Sequence, residues 1–461
     1  MKVIMKKIKV SDSLKNVAKI SGGTVAGQAI SILTLPIITR IYGAEVMGIW
    51  ATILSVALIL QAVSDWGMTS ALMIEEDENE AITYYAIITT LSLATSLIAT
   101  ILIYPFFAFI KGYTILNSII YTVLTVIYAF TVKQVNTSYM LLNRKKKYSV
   151  LMKNPIINYS SVALISILFW KLSFNTYGYY FAIIVGQIFT LINMRRVLPA
   201  VFLNLHIEKH IKLIRKYKDF LMYQTPNNLM LQMRDQIPNI LIGSLFGDKM
   251  LGYYSVSVKI LNMPVTFIGQ AIGKVFYQKI SEKNRNGERI DSFVKRNFNR
   301  AIFFALVPVV CLFAGGDIVA IIFFGWDYYI AGQLLRIVVF KTVLTFISTC
   351  MQGLEIVLRK QKYALVTTCT QMMMSSLAVI GGFYLSHNIF VAITMMTAFY
   401  IMVQLVYYSR LFAIMKLSMK IITRDIAGLF IITILLGNAI RYVIKIIIEL
   451  FHIGYFQWFV V

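Results

Sequence analysis

Gln224, Asn227, Asn228, Gln232, Arg234, Asp235 and Asn239 crowd into one stretch, YQTPNNLMLQMRDQIPN, within an otherwise apolar region. Pro226 and Pro238 can loosen the backbone ladder at either end of it. Side-chain amides of this kind bond hydroxyl groups, and an arginine bonds phosphate or carboxylate. Lys259, Asn262, Thr266 and Gln270, with Lys274 slightly off line, recur at three- and four-residue steps and so draw a polar stripe on one helix face. Lys341, Thr345, Ser348, Gln352 and Glu355 repeat the pattern, and Thr122, Thr125, Lys133 and Asn136 make a thinner stripe. A charge at mid-depth facing lipid costs ~2.5–3.5 kcal/mol, so such stripes are expected to face a water-filled cavity. The plainer reading, that they make interhelical hydrogen bonds or snorkel to a helix end as Lys133, Lys153, Lys274 or Arg336 would, stays open residue by residue.

Bases outnumber acids in these stretches. Asp65, Asp235 and Glu355 are the acids expected inside the apolar region, and each either carries a coupling proton through a raised pKa or pairs with a nearby lysine. Arg234 and Asp235 adjoin in sequence but point ~100° apart on a helix, so they are not required to neutralise each other. The candidate anion- and hydroxyl-binding residues are therefore Gln28, Lys133, Asn228, Gln232, Arg234, Lys259, Lys341 and Gln352. The four histidines, His206, His210, His387 and His452, form no metal set, and neither a glycine-rich phosphate loop nor a nucleophile elbow occurs. No catalytic residue, metal or cofactor is expected. Cys311, Cys350 and Cys369 read as small apolar packers.

The elements that must hold these residues are long helices. A chain of 461 residues that is 58% hydrophobic and 14% charged, with a mean hydropathy of +0.73, belongs in a membrane. Its apolar runs reach ~20 residues, and no alternating barrel pattern appears. The expected fold is all-α and polytopic, with two parallel six-helix bundles and twelve core transmembrane helices. A repeat supports the pairing: Tyr42, Gly43, Gly48 and Trp50 of TRIYGAEVMGIW return as Phe246, Gly247, Gly252 and Tyr254 of SLFGDKMLGYY, at a constant spacing of 204 residues. Thr24 and Gln28 match Asn228 and Gln232 at the same spacing, and a weaker match pairs RKKKY with RKQKY. The paired glycines read as architecture, allowing tight turns and close backbones.

The expected division is 1–199 for the first bundle, 200–217 for a basic amphipathic linker suited to the inner membrane surface, 218–412 for the second bundle and 413–461 for an apolar tail. That tail, interrupted by Arg441, Lys445 and Glu449, fits either one span with an interfacial segment or two short spans. The second helix is expected over 46–73 and the tenth over 332–358. Glu75–Glu80, EEDENE, reads as a solvated acidic loop rather than a metal site.

The net charge of +24 is placed unevenly. Most of the 44 Lys and Arg residues lie in the N-terminal tail and in alternate loops, whereas the intervening loops hold Arg40, Lys111, Lys171 and Lys249. This positive-inside bias puts the N-terminus in the cytoplasm, and anionic lipid accounts for the charge without nucleic acid.

Gly27, Gln28, Pro36, Arg40, Tyr42, Gly43, Glu45, Gly48, Ser55, Asp65, Gly67, Ala71 and Leu72 together form an opening signature. On these residues the chain resembles the Wzx-type O-antigen and polysaccharide-unit flippases of the multidrug/oligosaccharidyl-lipid/polysaccharide exporter superfamily. The resemblance implies a MATE-like exporter fold around a central cavity that opens alternately to each side of a bacterial inner membrane. It implies a substrate of undecaprenyl-pyrophosphate-linked oligosaccharide, of O-antigen or capsule type, moved to the periplasmic leaflet. A polysaccharide polymerase and a chain-length regulator would be its protein partners, and membrane lipid its surroundings. A drug/cation antiporter would need acids to dominate. A peptidoglycan-precursor flippase shares the charge logic, and a membrane glycosyltransferase or polymerase should show a large extramembrane loop.

Overall fold

The computed structural model describes residues 12–198, 203 and 206–450, and among them every regular element is helical. The first long helix, α1 (Asp12–Val63), is interrupted at Gly43, whose φ of 76° and ψ of 172° are not helical. That break divides a 44-residue apolar run, Ile20–Val63, into two lengths that each suit a bilayer. The next helices are α2 (Glu78–Ile110), α3 (Ile115–Arg144), α4 (Tyr148–Lys171) and α5 (Asn175–Arg195). A short amphipathic helix, α6 (Ile207–Lys216), leads to α7 (Thr225–Leu245) and α8 (Asp248–Arg285). The remainder comprises α9 (Asp291–Phe324), α10 (Tyr329–Cys350), α11 (Gln361–Ser386), α12 (Ile389–Ile414) and α13 (Met419–Leu450). Ten helices among the described residues are long and apolar enough to cross a membrane; α4 and α7 have the length but are too polar to count among them.

Across its described residues the tail from Met419 to Leu450 is one unbroken helix. Two other expected helices are interrupted. The second ends at Val63 in a turn where Trp66 and Gly67 both take positive φ, followed by a short helical piece that reaches Ile74. The tenth stops at Cys350, and Gly353 turns with φ 81° before Leu354–Val357. In each case the glycine adopts a conformation that an L side chain resists.

Two compact units form among the described residues. One runs to Gly43 and takes in Ile53–Gln232; the other joins Ala44–Thr52 to the chain from Met233 onward. Within the second unit the two copies of the repeated turn meet. A Cβ on Gly48 would lie 1.7 Å from the Asp248 carbonyl oxygen, and one on Gly252 would lie 1.8 Å from the Ala44 carbonyl oxygen. Ala44 and Asp248 are themselves repeat partners, so the contact is reciprocal. Gly43 and Gly247, with φ of 76° and 89°, set up the same turn before each copy.

In the first unit the acidic loop is not simply solvated. Glu75 is buried and accepts hydrogen bonds from Lys216 Nζ at 2.6 Å and the Tyr217 hydroxyl at 2.8 Å. Asp77 caps α2 by accepting from the Asn79 and Glu80 amides. Arg144 donates to the carbonyls of Leu72, Glu75 and Glu76, satisfying the end of the preceding helical piece. The linker helix α6 is accordingly docked on protein at its C-terminal end: Leu213 is fully buried in a cluster with Leu72, Tyr84 and Leu142.

Candidate functional site

The second unit gathers the charged candidates. Arg234 and Asp235, on consecutive positions of α7, form a two-pronged ion pair with Nε–Oδ1 at 2.8 Å and Nη2–Oδ2 at 3.0 Å. The ~100° between their Cβ directions does not keep them apart, because the long guanidinium stem reaches round the helix. Lys341 on α10 sits 5.3 Å from the ring centre of Tyr400 on α12 and within electrostatic range of Arg234, Asp235 and Tyr254. The Tyr400 hydroxyl lies 3.1 Å from Thr345. The geometry thus brings Arg234, Asp235, Lys341 and Tyr400 into one cluster with a net positive charge. Such a cluster attracts an anion while the phenol and the carboxylate orient its cations.

The other candidates in this unit stand apart. Lys259 on α8 is exposed, and no ion pair to it forms among the described residues. Gln352 falls in the break after α10 and lies against the position of Gly273. Glu355 accepts from the Tyr407 hydroxyl at 3.4 Å. Ser348, by contrast, is tied into an interhelical chain with Tyr408 at 2.6 Å and Gln404 at 2.8 Å, which is the plainer role for a stripe residue.

The first unit joins two candidates that the sequence had separated by role. Lys133 Nζ donates to Asp65 Oδ1 at 2.7 Å, and both side chains are almost wholly buried. Asp65 also accepts from the Thr69 amide at 2.8 Å and the Gly67 amide at 3.3 Å, so it stabilises the turn that ends α1. Asn228 accepts from Gln224 Nε2 at 3.0 Å, one turn earlier on the same helix face. Gln232 is half-buried. Gln28 lines a cavity of about 270 Å³, and its Oε1 is buried with no partner among the described residues.

Besides Glu75, sequence reading missed a second buried acid. Asp317 on α9 is fully buried, with its Oδ2 2.7 Å from Arg441 Nη1 on α13. The signal existed as an arginine inside an apolar tail, but nothing local linked it to an aspartate 124 residues earlier. The pair fixes the tail helix to the body of the second unit.

A family described as polysaccharide biosynthesis protein matches residues 37–331, more than half of the chain. The chain belongs to that family. Among solved structures, this family member is similar to one described as the lipid II flippase MurJ in an inward closed conformation. The identity is 13%, the match covers 95% of this chain and 99% of that one, and the TM-score is 0.69. It is also similar to an inward-facing multidrug resistance MATE family transporter of the MOP superfamily, at 14% identity, with 87% of this chain and 99% of that chain covered and a TM-score of 0.61. At such identities the likeness is one of fold. No curated protein sequence matches. The polysaccharide resemblance therefore holds at the level of the family, and the family member is a multi-pass helical membrane protein that shares its fold with these two structures.

Proposed function

We propose that the protein is a flippase that carries undecaprenyl-pyrophosphate-linked oligosaccharide units from the cytoplasmic to the periplasmic leaflet by alternating access. The observation that carries this reading is the Arg234, Asp235, Lys341 and Tyr400 cluster, a cationic site within a membrane-spanning unit. A pyrophosphate is a strong anion whose desolvation needs several cationic donors, and Arg234 and Lys341 are the two that this cluster offers. The family's description, with its polysaccharide theme, agrees with a sugar-bearing cargo. In this reading the N-terminus faces the cytoplasm of a bacterial inner membrane, and the polymerase and chain-length regulator act after translocation.

The drive is an ion gradient acting through a carboxylate. Asp65 and Asp235 are each held by a base, whereas Glu355 accepts from Tyr407. Glu355 forms no ion pair among the described residues, and it is the coupling residue we favour. Collapse of proton and sodium gradients in transporting vesicles with no change in rate would remove this part.

Complementation tests the whole. Deletion of the gene should cause lipid-linked oligosaccharide to accumulate on the cytoplasmic face, and Arg234→Ala and Lys341→Ala should insert normally yet fail to rescue. Unchanged surface polysaccharide with raised drug sensitivity would point instead to a drug/cation antiporter. Rescue of a peptidoglycan-precursor defect would point to that lipid as cargo.

A further inference from the structure

The cavity that holds Gln28 belongs wholly to the first unit, and its walls carry no charge. Its lining includes Gln28 from α1, Asn136 and Tyr139 from α3, and Asn154, Asn158 and Tyr159 from α4, and among the described residues no Asp, Glu, Lys or Arg lines it. At ~30 Å³ per water, its volume of about 270 Å³ would hold about nine waters, close to what one pyranose ring with its substituents displaces.

Three buried polar atoms in this wall have no partner among the described residues: Gln28 Oε1, Asn154 Nδ2 and Asn158 Nδ2. Asn154 is only 6% exposed, and its carbonyl oxygen already accepts from Asn193 at 2.8 Å, which fixes the amide and leaves its NH₂ group without a partner among the described residues. Orphaned groups of this kind are costly inside a protein, and most buried polar atoms have a partner. One orphan acceptor beside two orphan donors does not suit a metal cation, which the amide hydrogens would repel. It does not suit a phosphate either, for want of any cation. It suits a group that both donates and accepts: a hydroxyl bonding Gln28, with hydroxyl, ring or acetamido oxygens accepting from the two asparagines.

Close helix packing builds the pocket. A Cβ on Gly23 would lie 2.0 Å from the Met152 carbonyl oxygen, and one on Gly27 would lie 2.6 Å from the Pro155 carbonyl carbon. The two glycines, four residues apart, let α1 and α4 approach backbone to backbone. That approach places Gln28 opposite the α4 asparagines, and Tyr139 and Tyr159 add apolar wall against which the C–H side of a sugar can rest.

We propose that this pocket is a sugar subsite that takes one neutral, hydroxyl-bearing ring of the translocated substrate. The inference rests on the flippase reading for the identity of the cargo, and on the pocket alone for the chemistry of the ring.

The test uses the full-length protein in lipid nanodiscs with three probes: undecaprenyl pyrophosphate, the same lipid bearing one N-acetylated hexose, and the free methyl glycoside of that sugar. The wild-type protein should bind the sugar-bearing lipid about tenfold more tightly than the bare lipid, the return on one or two hydrogen bonds to otherwise orphaned groups. Gln28→Leu and Asn158→Leu should each abolish most of that preference and leave affinity for the bare lipid unchanged. Their ligand-free melting temperatures should equal or exceed that of the wild type, because each removes a buried polar atom without a partner. Preference retained in both folded variants, or a wild-type protein that binds both lipids equally, overturns the subsite and leaves the flippase reading standing. Binding of neither lipid, with the methyl glycoside raising the melting temperature of the wild type but not of the variants, keeps the subsite and overturns the cargo.

Discussion

Lys133 and Asp65 are two charges held 2.7 Å apart with almost no water around either. Taking both ions out of water is expensive, and their attraction offsets that cost only while both are present. Lys133→Met should destabilise the protein by roughly 3–5 kcal/mol by leaving a buried carboxylate, whereas Lys133→Met combined with Asp65→Leu should recover most of the loss. Thermal unfolding in detergent measures both, and a double variant as unstable as the single one would show that Asp65 matters chiefly through the Gly67 and Thr69 amides. That pair also shows why residue roles were only partly legible. The sequence exposed each residue as a charge in an apolar run but not its neighbour 68 positions away. For the same reason, Arg234 and Asp235 were legible as polar but not as bonded, since a helical wheel tracks Cβ directions and ignores the reach of a guanidinium.

At the scale of elements, the linker helix α6 is held by a small acid–base latch. Burial alone would raise the Glu75 pKa, but hydrogen bonds from Lys216 and Tyr217 and from the Asp77 amide, with the lysine's charge, outweigh it and hold it at about 2, below its ordinary 4.5. Lys216 is shifted the opposite way, upward, chiefly through its bond to Glu75. A lowered carboxylate pKa contributes stability that is complete above pH 4.5 and is lost as pH falls through about 2; a raised lysine pKa contributes stability that is complete below 10.5 and is lost as pH rises beyond its folded value. Docking of residues 207–216 should therefore hold across the neutral range and loosen between pH 4.5 and 2. Hydrogen exchange of those amides, corrected for intrinsic rates, reads this directly, and Glu75→Gln should show the loosened pattern already at pH 7. Exchange that is the same at pH 7 and pH 3 in both proteins would dismiss the latch. EEDENE was readable as acidic and KHIKLIRK as amphipathic, because composition and period are local. Their attachment to each other spans 141 residues and leaves no trace in either segment. The all-helical class was legible on the same local grounds, whereas the expected twelve core spans stand against ten helices apolar enough among the described residues, and the breaks at Gly67 and Gly353 depend on backbone angles that a long apolar run conceals.

The whole molecule turns on the reciprocal contact between the repeated turns. Gly48→Ala and Gly252→Ala each drive a methyl into a carbonyl oxygen of the other copy, and overpacking of this kind should cost ~1–3 kcal/mol at either site. Gly22→Ala, with nothing within 4 Å of the new carbon, serves as a silent control. Fluorescence-detected size exclusion should show the two turn variants losing monodisperse protein to a similar extent and the control losing none; tolerance at one turn with collapse at the other would mean that the contact is not symmetric in energy. The spacing of 204 residues made this correspondence visible in the sequence, though not that the two copies touch. Synthesis runs from one end of the chain to the other, and the segment Ala44–Thr52 rests on Asp248 and Gly252. At ~5–20 residues per second, the ribosome needs roughly 10–40 s to make the partner of a segment it has already released. Through that interval the start of the second span lacks its final neighbour. The nascent protein must hold this segment in the bilayer with a bare glycine face, which makes the step between the first and second copies the natural point for an insertion chaperone to act or for quality control to intercept a faulty chain.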